Sequence, residues 1–175
     1  ALTETMNKLG ELFARLEIFL PQLILAGEAL TASVDILRPK IIEAGEQGAP
    51  KGKVVIGVVK GDLHEIGKNI VKLMLDTNGF EVKDLGYDVD SLTFIKEAEA
   101  MGADIIGASS LMTTTMPGQK EIIELLKEKG IRDRYKVVIG GAPTGKEWAD
   151  QIGADLWCED ATSAPKMMAE LLQKQ

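Results

Sequence analysis

Apolar residues recur at three- and four-residue steps along the first part of the chain: Met6, Leu9, Leu12, Phe13, Leu16, Phe19 and Leu20, then Leu23, Leu30, Val34, Leu37 and Ile41. That period keeps one side of a helix against a partner, and it predicts two amphipathic helices between Thr3 and about Gly45. Pro21 suits the first turn of the second helix, where a missing N–H costs nothing, and Pro39 is expected to kink or restart it. Periodicity stops at Gln47-Gly48-Ala49-Pro50-Lys51-Gly52, which reads as a linker.

Beyond the linker, short β-branched runs alternate with helical stretches. Strands are expected at 53–59, 81–85, 104–109, 136–139 and 155–157, and helices near 68–78, 92–101, 118–129, 145–152 and 163–173. The first run, Val54-Val55-Ile56-Gly57-Val58-Val59, has no polar alternation, as a strand in a parallel sheet covered on both faces requires. The expected architecture is a five-stranded, doubly wound α/β domain over 53–175, Rossmann-like or flavodoxin-like, preceded by a helical segment over 1–46 and a linker over 47–52. Such sheets bind ligands at the carboxyl ends of their strands, where strand order reverses, so the loops after the first, third and fourth strands are the places to look.

Composition narrows the partners. With 175 residues, 45% hydrophobic and 27% charged, the chain suits one globular domain with a helical appendage. A formal charge of −7 argues against a phosphate-backbone partner, so nucleic acid is not expected. The most apolar stretch, Ile18 to Ala32, is interrupted by Pro21 and Glu28 and is too short to span a bilayer, and no basic-then-apolar leader opens the chain; a cytoplasmic protein is expected. Cys158, the single cysteine, has no disulfide partner and no zinc-like companion, and reads as a buried small hydrophobe. Lys53, Lys60 and Lys68 read as solvated charges.

The loop after the first strand, Lys60-Gly61-Asp62-Leu63-His64-Glu65-Ile66-Gly67, holds the only histidine in the chain. A carboxylate two residues away can take the hydrogen bond of one ring nitrogen, which sets the tautomer and makes the other nitrogen a better metal ligand. Gly67 lets the backbone turn into the next helix. One histidine cannot close a protein-only metal site, because zinc needs about three or four protein ligands. A macrocycle that brings four nitrogens and needs one axial ligand fits, and on this ground haem fits as well as a corrinoid.

The hexapeptide Asp62-Leu63-His64-Glu65-Ile66-Gly67 resembles the Asp-x-His-x-x-Gly signature of cobalamin-binding domains. Ser109-Ser110-Leu111 resembles the Ser-x-Leu segment of that family, and Gly140-Gly141 its Gly-Gly pair. The resemblance implies a cobalamin or related corrinoid bound with its dimethylbenzimidazole base off cobalt, His64 as axial ligand, Asp62 as the partner of His64, and Gly61, Leu63, Glu65 and Gly67 in the same loop. By the same match Ser109, Leu111 and Thr113 lie against the base and Gly140 and Gly141 make room for the nucleotide tail. Thr115 falls where methionine synthase has a serine completing the histidine–aspartate relay, and Ala161 matches a position lining the tail.

The first helical segment resembles the cap of methionine synthase and of one-carbon corrinoid proteins, with Phe13 and Leu20 at positions that shield the upper cobalt face. Family caps are four-helix bundles, and about half of one precedes the linker. The implied role is a corrinoid methyl carrier, not a complete enzyme, served by a substrate:corrinoid methyltransferase, a corrinoid:acceptor methyltransferase with tetrahydrofolate as the expected acceptor, and a reductive activase. Two alternatives share the histidine loop: the cobalamin subunit of a radical mutase, which lacks such a cap, and a cobalamin-dependent sensor, which normally carries a signalling or DNA-binding domain. A flavodoxin-like domain for another cofactor is the third, against which stands the absence of a Ser/Thr-rich phosphate loop after the first strand.

Overall fold

The central strands are runs of valine, isoleucine and small residues, and in the computed structural model they lie side by side between two layers of helices. The structure describes residues 2–43 and 50–173. The strands β1 (Lys53–Val58), β2 (Glu81–Asp84), β3 (Ile105–Ser109), β4 (Lys136–Gly140) and β5 (Leu156–Trp157) form one parallel sheet in the order β2-β1-β3-β4-β5. Strand order therefore reverses between β1 and β3, as the alternation of strands and helices predicted.

Side-chain alternation divides the core between the two faces of the sheet. Val55, Ile106, Val137 and Ile139 point to one face and pack under α4 (Ser91–Met101), α5 (Pro117–Glu128) and α6 (Lys146–Ile152), through Phe94, Ile95, Ile122, Ile123 and Ile152. Val54, Ile56, Ile105 and Val138 point to the other and meet α3 (Ile66–Thr77) and α7 (Ala164–Gln173), through Leu75 and Met168. Each such side chain stabilises the fold by about 1.5–3 kcal/mol, and the two layers fix where the strand ends stand.

Two further helices, α1 (Leu2–Ala14) and α2 (Leu20–Glu43), dock on the outer side of α3. Met6, Leu23, Leu30 and Met74 form the centre of this contact, with Leu9, Phe13, Ile70 and Leu73 packed around it. Gly27 lets α2 approach closely, since a Cβ there would come within 2.4 Å of the Leu73 side chain. Thus α3 is apolar on two sides, one toward the sheet and one toward the cap.

Three expectations need correction. Leu16 and Phe19 are not part of an amphipathic stripe: they lie in the link between α1 and α2, Leu16 with φ +61°, and are 79% and 71% exposed. The chain leaves the helix there through turn bonds from Leu16 N–H to the Phe13 carbonyl and from Glu17 N–H to the Leu12 carbonyl, so these side chains rotate off the packed face. Of the two effects expected at Pro39, a kink or a restart, the restart is excluded: the second helix runs on to Glu43, because one missing backbone bond does not by itself end a helix. The third correction, at Lys68, belongs to the site. The side chains of Val34, Leu37 and Ile41, and residues 44–49, which include the first half of the expected linker (47–49), lie outside the described residues.

Candidate functional site

The loop between β1 and α3 is built around one buried carboxylate. Asp62 is fully buried. Its Oδ1 accepts the backbone N–H of His64 at 3.0 Å and lies 2.8 Å from His64 Nδ1, while its Oδ2 accepts the backbone N–H of Leu111 at 2.7 Å and the Thr115 hydroxyl at 2.8 Å. Burial opposes the charge on Asp62, but the bonds from Leu111, His64 and Thr115 outweigh it and hold the carboxyl well below the usual carboxylate range. An ionised carboxylate only accepts, so His64 Nδ1 must carry the proton. The lone pair of the neutral ring then sits on Nε2, and the ring is about half exposed. Behind Thr115 the fully buried Ser110 places its hydroxyl 2.8 Å from the threonine oxygen, so the chain of contacts runs Ser110, Thr115, Asp62, His64.

Beside His64 opens a cavity of about 720 Å³ at the carboxyl ends of β1, β3, β4 and β5. Gly141 sets its shape: it has φ +125°, and a Cβ there would lie 1.7 Å from the Ser110 carbonyl oxygen, so no side chain fits between the β3 and β4 loops. The turn after it is held by Thr144, whose N–H and hydroxyl both donate to the Gly141 carbonyl, at 2.9 and 2.6 Å, and whose oxygen accepts the Trp157 indole N–H at 3.1 Å. The opposite wall, from Glu159 to Ala161, is pinned by Asp160, which accepts from the backbone and hydroxyl groups of Thr162 and Ser163. Cys158 is buried in that wall as expected, its thiol pushed up to about 12 by burial and then by Asp160.

Of the residues singled out in the sequence, Leu63, His64, Glu65, Gly67, Ser109, Leu111, Gly140, Gly141 and Ala161 line this cavity. Asp62 and Thr115 stand buried behind His64, and Gly61 donates its N–H to Asp88 at 2.8 Å, which ties the loop to the strand-two side. Thr113 is exposed and outside the cavity wall. Phe13 belongs to the contact between cap and α3, and Leu20 is partly exposed at the start of α2.

Lys68 is the correction: it is not solvated but 1% exposed, its ammonium 2.5 and 2.6 Å from the two oxygens of Asp84 and 3.7 Å from Glu65. Two carboxylates converging on one amine are what make that burial tolerable. Nothing in the local pattern separates this lysine from a surface one, because Asp84 arrives from the next strand. Ser110, Thr144 and Trp157 were missed because their bonds, Ser110 to Thr115 and Trp157 to Thr144, depend on how the loops at the strand ends are folded and not on a local periodicity.

Among the described residues no group of three or more His, Cys, Asp and Glu side chains could hold a metal ion by itself. A single free imidazole nitrogen, beside a largely apolar cavity cradled by a glycine that admits no Cβ, fits a metal that comes with its own macrocycle and a tail to bury. Fold and site together define a Rossmann-like domain with a cavity suited to such a cofactor at the switch point of its sheet.

Comparisons with known proteins agree. Two family models, each described as a B12 binding domain, match residues 52–166 and 1–38. Dimethylamine corrinoid protein 3 of Methanosarcina mazei is 50% identical over 167 residues, covering 95% of this chain and 99% of that protein. The structure of a cobalamin-binding protein from Desulfitobacterium hafniense superposes with a TM-score of 0.81 at 35% identity, over 97% of this chain and 79% of that one. The methanol:cobalamin methyltransferase complex of Methanosarcina barkeri contains a chain that superposes at 0.85 and 30% identity, over 100% of this chain and 66% of that one. The chain belongs to the B12-binding family and is a corrinoid protein of methyltransferase systems, with cobalamin or a related corrinoid as its cofactor.

Proposed function

We propose that this protein is a methyl carrier that holds its corrinoid with the lower base off cobalt and His64 Nε2 as the axial ligand. The observation that supports this most directly is the 2.8 Å contact between Asp62 and His64 Nδ1, which leaves Nε2 as the free donor at the cavity mouth. When bound, the corrinoid supplies the cobalt that accepts and surrenders the methyl group.

The chain's own residues hold and orient. Asp62 keeps the proton on Nδ1 and fixes the ring plane, and Thr115 and the Leu111 N–H keep Asp62 ionised and in place. The exposed apolar side chains of Leu63, Ile66 and Leu111 surround His64 with a surface that a macrocycle would cover. The cavity would hold the nucleotide tail, with Ser109, Gly140, Gly141 and Ala161, all in its wall, as the residues to contact the base and tail. Among the described residues none is arranged as a nucleophile or general base for the methyl donor. Substrate activation therefore falls to a substrate:corrinoid methyltransferase, and unloading to a corrinoid:acceptor methyltransferase, with tetrahydrofolate as acceptor and a reductive activase to restore oxidised cofactor. The 50% identity to a protein named for dimethylamine makes a methylated amine the first donor to assay.

The test is spin resonance of the Co(II) form, prepared with nitrogen-14 corrinoid and protein labelled at histidine with nitrogen-15. A changed superhyperfine pattern on labelling is expected. An unchanged pattern sinks ligation by His64.

A further inference from the structure

We propose that the cavity selects the lower base of its corrinoid, admitting a benzimidazole and discriminating against an adenine, because its floor has no partner for the additional nitrogens of a purine. The inference rests on the reading that the nucleotide tail enters this cavity.

The floor is formed by Ile56, Val71, Gly107, Val138, Cys158 and Met168. Four of them, Ile56, Val138, Cys158 and Met168, belong to the core between the sheet, α3 and α7, and Val71 packs against it. Apart from Ser109 and the solvent-exposed Glu159, the polar side chains that line the cavity are already engaged. The Lys68 ammonium is bound to both oxygens of Asp84, the Trp157 indole to Thr144, and Thr144 to the Gly141 carbonyl. Gly107 lies in the middle of β3, between Ile56 of β1 and Val138 of β4, where parallel pairing occupies the backbone groups. The Cys158 thiol stays protonated and is a weak donor. Ser109 offers a half-buried hydroxyl at the end of β3, but one hydroxyl can serve a ring nitrogen that both kinds of base possess, so it does not discriminate.

The difference lies in the six-membered ring. Dimethylbenzimidazole carries carbon and two methyl groups there, which gain from contact with Ile56, Val138 and Met168. Adenine carries an exocyclic amine and two ring nitrogens, all satisfied in water and unpartnered on this floor. Even one unmade bond of this kind is worth about tenfold in affinity.

The experiment titrates the corrinoid-free full chain, followed by visible absorbance, with cobalamin, adeninylcobamide and cobinamide, the last lacking the nucleotide altogether. Cobalamin is expected to bind at least about tenfold more tightly than adeninylcobamide. Equal affinity for the two complete corrinoids, with cobinamide weaker than both, overturns the selectivity and leaves the placement of the tail standing. Cobinamide binding as tightly as cobalamin overturns the placement of the tail and the selectivity with it. Met168→Gln, which sets an amide into the floor at similar size, is expected to narrow the ratio, and Met168→Leu to preserve it; an unchanged ratio in the glutamine variant overturns the assignment to this floor.

Discussion

At Asp62, two oxygens receive a ring nitrogen, a hydroxyl and two backbone N–H groups, and every donor depends on the negative charge. Asp62→Asn keeps the shape but turns one oxygen into a donor facing donors. We expect it to weaken ligation through His64 by about ten- to a hundredfold, read as slower methyl transfer and a shifted Co(II)/Co(I) potential. It should also lower the stability of the corrinoid-free protein by about 1.5–3 kcal/mol at pH 7. The sign of the pH dependence follows from the depressed acidity of the folded carboxyl. Its contribution is fully present above the unfolded value of about 4 and is lost as pH falls through the lower folded value. The stability gap between wild type and Asp62→Asn, measured by urea unfolding, should therefore shrink as pH is lowered below about 4; a gap that widened would contradict the charge-based account.

Among the elements, α3 carries the most constraints, since its N-terminus begins two residues after His64 and both of its sides are buried. The Lys68 ion pair ties its first turn to Asp84 at the end of β2, so the histidine loop is anchored at both edges of β1: by Lys68 and Asp84 on the β2 side and by the Leu111 N–H on the β3 side. Lys68→Met leaves Asp84 without its counter-charge. Because Asp84 retains partial exposure, the cost should fall at or just below the lower end for a broken buried pair, about 2–3 kcal/mol. Adding Asp84→Asn removes the stranded charge while keeping an acceptor for the Gly86 N–H, and should recover much of the loss. Denaturant unfolding of the single and double variants checks this; a single variant as stable as wild type would show the pair to be neutral.

For the molecule as a whole, the question is whether the cap moves. It meets the α/β domain mainly through α3, and Leu16, Phe19, Leu25 and Ile36 leave it with exposed apolar surface. If, as proposed above, a methyl group is handed between two partner enzymes, the cap is expected to open as a lid, with Phe13 and Leu20 covering the cofactor when it closes. Asn7 of α1 and Asn78 at the end of α3 meet at 2.9 Å, and replacing both with Cys allows a short bifunctional linker to join cap and domain while Cys158 stays buried. Cross-linked protein should keep its corrinoid yet exchange methyl groups with neither partner. Normal rates with both partners would reduce the cap to a stabilising appendage.

The sequence by itself determined the strand order class, the layers and the strand ends at which the cavity opens. These rest on local periodicity, on uninterrupted β-branched runs that demand two covered faces, and on one histidine two residues from a carboxylate. Element boundaries shifted by only a residue or two, because turn residues punctuate the chain. What the tertiary structure decided are the contacts between residues far apart in sequence. Lys68 looks like any helix-surface lysine until β2 brings Asp84 to it, and Thr115, 53 residues from Asp62, reaches the carboxylate only because β1 and β3 are neighbours. Leu16 and Phe19 fit a helical stripe by spacing yet leave it at a turn with positive φ. The apolar floor beneath β1, β3 and β4 likewise has no signature along the chain, because its residues converge from separate strands and from α3 and α7 only once the sheet has formed.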